Sequence, residues 1–153
     1  MRVVLQRVLQ ASVIVIAEDG REQEVARIGP GLVALVGFAG GETPDDLDWM
    51  AGKIAGLRVF GPRGEFDLPV DEVAGEVLVV SQFTLLADLR KGRRPDLAGA
   101  APADAARALY DDFVRRLAAR CRRVRQGAFG ARMRVTLEND GPVTFLLERG
   151  GAA

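Results

Sequence analysis

Glu76-Val77-Leu78-Val79-Val80-Ser81-Gln82-Phe83-Thr84 is the stretch on which the fold turns. Residues 76–80 carry an apolar run without polar alternation, which predicts a strand buried on both faces and therefore central in a sheet. It delivers the chain straight into Ser81-Gln82-Phe83-Thr84, where two hydroxyls and an amide gather as a buried strand emerges. Such a strand end can bind an oxyanion or orient water. The same residues also read as an ST-type turn whose hydroxyls merely cap backbone groups.

Towards the N-terminus, residues 2–8 and 12–16 read as strands meeting near Ala11. Residues 25–28 and 32–38 read as two more, reversed by a tight Gly29-Pro30-Gly31 turn to make a β-meander. Thr43 followed by Pro44 is an N-cap with proline at the first helical position, and Asp45, Asp46 and Asp48 suit the positive end of a helix. Leu47, Met50, Ala51, Ile54 and Ala55 then mark one face of a helix over 44–55. Residues 57–60 return as a short strand that Gly61-Pro62-Arg63-Gly64 breaks.

Beyond Thr84, residues 87–100 lack periodicity and form a surface loop, and residues 102–118 form a helix with Ala105, Leu109, Phe113 and Leu117 on its apolar stripe. Residues 122–126, 132–138 and 143–147 read as strands, the last two joined as a hairpin by Asn139-Asp140-Gly141-Pro142. The expectation is one α+β domain over 1–149, with a frayed tail at 150–153.

Composition limits the chemistry. With 48% apolar and 27% charged residues the chain is of soluble, folding type. Charges interrupt Met1-Arg2-Val3-Val4-Leu5-Gln6-Arg7 before a signal-peptide core can form, and the apolar stretch 32–39 is too short to span a bilayer, so a cytoplasmic location is expected. Lone Cys121 excludes an intrachain disulfide and reads as an incidental thiol. The absence of histidine rules out Ser-His-Asp and Cys-His arrangements and the usual zinc sites.

Charge is balanced at 21 basic and 21 acidic residues but unevenly placed. Eight arginines and no acid lie between Arg115 and Arg134, and a second basic run is Arg90-Lys91-Gly92-Arg93-Arg94, whereas Glu42, Asp45, Asp46 and Asp48 cluster. Guanidinium forks suit phosphate contact, and a solvated face accounts equally well for the same charges.

Leu5-Gln6-Arg7-Val8, Gly29-Pro30-Gly31-Leu32, Ser81-Gln82-Phe83-Thr84-Leu85, Arg90-Lys91-Gly92-Arg93-Arg94-Pro95 and Asn139-Asp140-Gly141-Pro142-Val143-Thr144 occur in one chain in this order. Together with Phe129-Gly130-Ala131 and Met133, they resemble the D-aminoacyl-tRNA deacylase family over essentially the whole length, from Met1 to about Leu147. Two departures from the family's pattern are Leu86, where an aromatic or polar residue is common, and Asp96-Leu97 after Pro95. They bear on the adenosine pocket and RNA docking.

The resemblance implies a homodimer with mixed, largely antiparallel, partly barrel-like sheets and two main helices. It would hydrolyse the ester joining a D-amino acid, or glycine, to the 3′-terminal adenosine of tRNA. Ser81, Gln82, Phe83 and Thr84 would form the catalytic wall. Gly141-Pro142, cis in that family, would enter the other subunit's site and exclude L side chains, with Asn139, Asp140, Phe129 and Met133 in support. Arg7, Arg90, Lys91, Arg93 and Arg94 would hold tRNA. No cofactor or metal, no DNA and no membrane partner is implied. An aminoacyl ester is already activated, so backbone amides near Phe83 and Thr84 and the ribose 2′-hydroxyl can suffice without histidine, a reading favoured over the alternative that Thr84 is a covalent nucleophile. The alternatives are a deacylase clearing L-alanyl-tRNA and a non-catalytic tRNA-binding homodimer.

Overall fold

The computed structural model describes residues 1–62, 66–90 and 92–150. The chain folds into a mixed, nearly barrel-like sheet with two helices, in the order β1 (Arg2–Ile16), β2 (Glu22–Ile28), β3 (Gly31–Gly37), α1 (Pro44–Gly56), β4 (Glu76–Ser81), α2 (Ala103–Ala118), β5 (Val124–Gln126) and β6 (Met133–Glu148). Short 3-10 turns occupy Val70–Val73 and Phe83–Leu86. Among the described residues no helix is long and apolar enough to cross a membrane.

β1 organises the sheet. The two strands expected over 2–16 are one, because the chain changes neighbours without turning: Arg2 to Val8 pair with β3, and Ala11 to Ile16 pair with β2. β6 runs antiparallel along both halves of β1. A strand has two hydrogen-bonding edges, so β2 and β3 follow one another along the remaining edge. The expected meander is thereby corrected. Ile28 faces Ala11 and Gly31 faces Val8, so Gly29-Pro30 carries the chain straight on, and proline only interrupts the ladder it cannot donate to.

The parallel pairs β3–β4 and β4–β5 lie beyond, with α1 in the first crossover and α2 in the second. β4 is central, as its unbroken apolar run predicts. Val77 and Val79 face the helices with Leu32, Ala34 and Val36, while Leu78 and Val80 face a second core with Val13, Ile28 and Val33. Burial on both faces is worth about 1.5–3 kcal/mol for each such side chain. No side chain fits at Gly31, where a Cβ would lie 1.9 Å from the Glu76 carbonyl oxygen.

α1 starts at the expected cap. Asp46 N–H donates to Thr43 Oγ1 at 3.3 Å and Thr43 N–H to Asp46 Oδ2 at 3.0 Å, a reciprocal capping box, and Leu47, Met50, Ala51 and Ile54 are buried. In α2 the buried stripe is Ala106, Tyr110, Phe113 and Leu117. The expected Ala105 is exposed and Leu109 half-buried, because the stripe steps back three residues from Phe113 to Tyr110 rather than four. A tyrosine is tolerated there since its hydroxyl donates to the Val79 carbonyl at 3.0 Å.

Two further expectations are corrected. Residues 57–60 form no strand; Phe60 makes only an isolated antiparallel bridge with Leu68. Arg63 and Gly64 of the proposed breaker, and residues 151–153 of the proposed tail, lie outside the described residues. Asn139-Asp140-Gly141-Pro142 is not a hairpin either. Val8 pairs with Asn139 and Gln6 with Thr144, so the four residues 140–143 loop out of β6 opposite Arg7 and the strand then resumes its course.

Candidate active site

The end of β4 opens on a cavity of about 450 Å³. Ser81, Gln82 and Phe83 form one wall, and Phe129, Gly130 and Met133 contribute another, with Val36, Gly37, Phe38 and Ala106 among the remaining lining. Local structure positions the first wall. Gln82 N–H donates to the Val36 carbonyl at 2.7 Å, extending the β3–β4 ladder by one bond, and Leu85 N–H closes the 3-10 turn onto the Gln82 carbonyl at 3.2 Å. The N–H groups of Phe83 and Thr84, at the start of that turn, consequently have no acceptor within it. Gly37 makes the close approach feasible: a Cβ there would stand 2.4 Å from Leu86 Cδ2 and 2.7 Å from the Gln82 carbonyl oxygen.

None of the cavity's lining residues carries a titratable side chain. Its polar equipment is the Ser81 hydroxyl, the Gln82 amide and backbone groups. Thr84 is not part of the lining, and its Oγ1 accepts from Gln82 Nε2 at 2.5 Å, so the group beside that hydroxyl is a donor amide rather than a base. This chemistry can polarise a carbonyl and stabilise a developing oxyanion, but supplies no general base.

The Phe129 wall is held from behind. Its ring meets Tyr110 at 5.5 Å between centroids, and the Arg107 guanidinium lies 4.7 Å from the ring centroid. Gly130 follows with φ +75°, a conformation that favours glycine. Gly37, Ala106, Arg107 and Tyr110 escaped the sequence reading. The usable signals were a glycine closing an apolar strand and a tyrosine at helical spacing from Phe113.

Gly141 and Pro142 are exposed, joined by a cis peptide, and outside this cavity. Asn139 anchors their loop, its Nδ2 donating to the carbonyls of Arg7 at 2.9 Å and Val143 at 3.2 Å. Arg7 is buried, with Nη1 donating to the Val59 carbonyl at 2.5 Å and Nε 2.8 Å from Asp140 Oδ2. That last contact is an ion pair without hydrogen-bond alignment, since Nε has no hydrogen-bond partner. Arg7 and Asp140 line a separate recess of about 260 Å³ with Phe60, Gly61 and Val73. The expected tRNA-binding role of Arg7 is therefore corrected: its charge is buried against Asp140.

Arg90, Arg93 and Arg94 are exposed on the loop after the 3-10 turn; Lys91 lies outside the described residues. Arg90 grips Asp88, whose carboxyl is held down to about 2 by the guanidinium and then by the Arg90 N–H. Asp96, one of the departures, closes the loop through paired backbone bonds with Asp88 at 2.7 and 3.0 Å. In the Arg115–Arg134 run Arg116 and Arg120 bind Asp48, Arg115 binds Asp112 and Arg134 binds Glu22, which makes half of those eight arginines structural.

Residues 4–148 match the model of a family described as D-Tyr-tRNA(Tyr) deacylase. Proteins named D-aminoacyl-tRNA deacylase are similar over nearly the full chain. That of Syntrophotalea carbinolica is 50% identical over 149 residues, 97% of each chain. That of Thermotoga petrophila is 47% identical over the same coverage, and that of Myxococcus xanthus is 47% identical over 100% of this chain and 97% of its own. Among solved structures, one described as c-Myc DNA Unwinding Element Binding Protein has a TM-score of 0.88 at 38% identity, covering 99% of this chain and 100% of its own. Another, described as a probable eukaryotic D-amino acid tRNA deacylase, shares the fold with a TM-score of 0.79 at 22% identity, covering 95% and 97%.

Proposed function

Because this chain belongs to the D-Tyr-tRNA(Tyr) deacylase family and hydrolyses the ester bond of D-aminoacyl-tRNA, we propose that the reaction takes place in the cavity at the end of β4. The observation that carries this reading is the wall itself. Ser81, Gln82 and Phe83 face a space whose lining has no titratable side chain, beside the uncapped N–H groups of Phe83 and Thr84. Those amides stabilise the oxyanion, a contribution of about 3–4 kcal/mol per donor at comparable sites. The ribose 2′-hydroxyl of the substrate helps activate water, in keeping with a wall that has no base. Thr84 contributes its backbone amide rather than a nucleophile, a reading supported by its hydroxyl standing beside an amide donor instead of a base.

Residues 1–149 act as one catalytic unit, in the cytoplasm, as a homodimer. Gly141 and Pro142 are exposed and apart from their own chain's cavity, which supports their serving the site of a second copy. Their backbone occupies the volume an L side chain would need, so D-amino acids and glycine pass and L-amino acids do not. Phe129 and Met133 shape the pocket, Asn139 and Asp140 hold the Gly-Pro loop, and Arg90, Lys91, Arg93 and Arg94 steer the acceptor end of tRNA.

Ester loss from D-tyrosyl-, L-tyrosyl-, glycyl- and L-alanyl-tRNA tests the chirality reading: the D-tyrosyl and glycyl esters should disappear, and release of L-alanine alone would overturn it. Thr84→Ala should keep most of the rate. The shared site is tested by mixing Gln82→Ala with a variant carrying an insertion beside Gly141. Gln82→Ala alone should lose hydrolysis and the insertion variant alone should cleave L-tyrosyl-tRNA as well; in hybrid dimers the one working site should be D-selective, and L-tyrosyl cleavage retained in verified hybrids sinks the cross-subunit arrangement.

A further inference from the structure

Phe129 is held to the body of the protein by a residue that does not line the cavity. Arg107 follows Ala106 on α2; Ala106 is buried against the cavity, and Arg107 is exposed behind it. Its guanidinium carbon lies 4.7 Å from the Phe129 ring centroid, and Nη2 donates to the Phe129 carbonyl at 3.2 Å. The same Nη2 is 3.6 Å from where a Cβ on Gly130 would be, so one guanidinium spans both residues of the turn. Tyr110, one helical turn on, meets the ring at 5.5 Å and is itself fixed by its bond to the Val79 carbonyl. Arg107 has no carboxylate partner among the described residues, unlike Arg115 and Arg116 further along the same helix. Its one hydrogen bond among the described residues goes to the turn.

We propose that Arg107 is a positioning residue for deacylation: it clamps the Phe129–Gly130 turn at the spacing from Ser81–Phe83 that the substrate requires. The proposal rests on the reading of this cavity as the active site. Arg107 does not line the cavity, so it acts through Phe129. A loosened wall weakens contacts made alike in the ground and transition states, which raises KM and leaves kcat nearly unchanged. An exposed cation over a half-buried ring, with one hydrogen bond to a carbonyl, corresponds to an effect of about fivefold.

The test compares kcat and KM on D-tyrosyl-tRNA for the full chain and for Arg107→Met, Arg107→Lys, Phe129→Ala and the double variant Arg107→Met/Phe129→Ala. Arg107→Met should raise KM about fivefold with kcat within about twofold and unfolding unchanged, while Arg107→Lys, which returns a cation to the ring without the planar fork, recovers part of the loss. In the Phe129→Ala background, where the bond to the residue-129 carbonyl survives but the ring it positions is gone, Arg107→Met should add less than about twofold. An unchanged KM in Arg107→Met, or the same loss with Phe129 absent, overturns the clamp; the latter would mark direct contact with RNA. If Phe129→Ala alone leaves kcat/KM unchanged, the cavity reading fails and the clamp with it. Impairment in Phe129→Ala with a neutral Arg107→Met refutes the clamp only.

Discussion

Gly37 lies so close beneath Gln82 that a Cβ on it would stand 2.7 Å from the Gln82 carbonyl oxygen, which already accepts the bond that closes the Phe83–Leu86 turn. The end of β3 thus sets the height of the Ser81–Phe83 wall at the end of β4. Gly37→Ala should push that turn outward, lowering kcat/KM on D-tyrosyl-tRNA about 10- to 100-fold against a stability loss of about 1–3 kcal/mol. Steady-state kinetics beside urea unfolding checks the disproportion; equal, small effects on both would show that the turn absorbs the methyl group.

Asn139 secures the exposed Gly141-Pro142 loop by two hydrogen bonds from one amide, to the Arg7 and Val143 carbonyls. Asn139→Ala should cost about 1–3 kcal/mol of stability and lower activity further than that loss explains, because the loop's aim is then held by Arg7 and Asp140 alone. Asn139→Asp offers an acceptor where two donors are needed, and should be no better than alanine. Activity restored in Asn139→Asp would contradict the assignment.

The basic loop should divide unequally. Arg90 is bound to Asp88, whereas Arg93 and Arg94 are exposed with no ion pair among the described residues. Arg93→Ala and Arg94→Ala should each weaken tRNA binding and reduce the slope of log affinity against log salt by about 0.7–0.9, with Arg90→Ala changing it less. Filter binding across a salt series measures this. A uniform slope in all three variants would remove the loop from the RNA interface.

Alkaline pH should destabilise the fold. Burial pushes the Cys121 thiol up to about 11, Asp71 adding to the effect, and burial raises Tyr110 as well. The unfolded thiol ionises near 9, so the unfolded state loses its proton first as pH rises. The stabilisation from the neutral, buried thiol is complete below pH about 9 and is lost as pH climbs towards 11, on the order of 2 kcal/mol. Urea midpoints at pH 8 and 10.5 should fall accordingly, and by less in Cys121→Ala. An identical fall in that variant would assign the effect to other groups.

Local and periodic features were legible in the chain. The unbroken apolar run of residues 76–80 could be satisfied only by burial on both faces, and Thr43-Pro44 with Asp46 fixed the start of α1 through bonds within one turn. The motif Ser81-Gln82-Phe83-Thr84 was visible as a place, because a polar cluster at the end of a buried strand has to meet something.

Tertiary structure alone decided the rest, since those features depend on neighbours remote in sequence. Gly29-Pro30 and Asn139 to Pro142 carry turn chemistry, yet neither reverses the chain: both face β1, whose 15-residue length keeps its partners running straight. Arg7 reads as a surface cation until Asp140, far along the sequence, is seen against it. The cavity wall joins β4 to Phe129, and Arg107 reaches that ring across 22 residues. Periodicity records which face of an element is buried; it does not record what is buried against it.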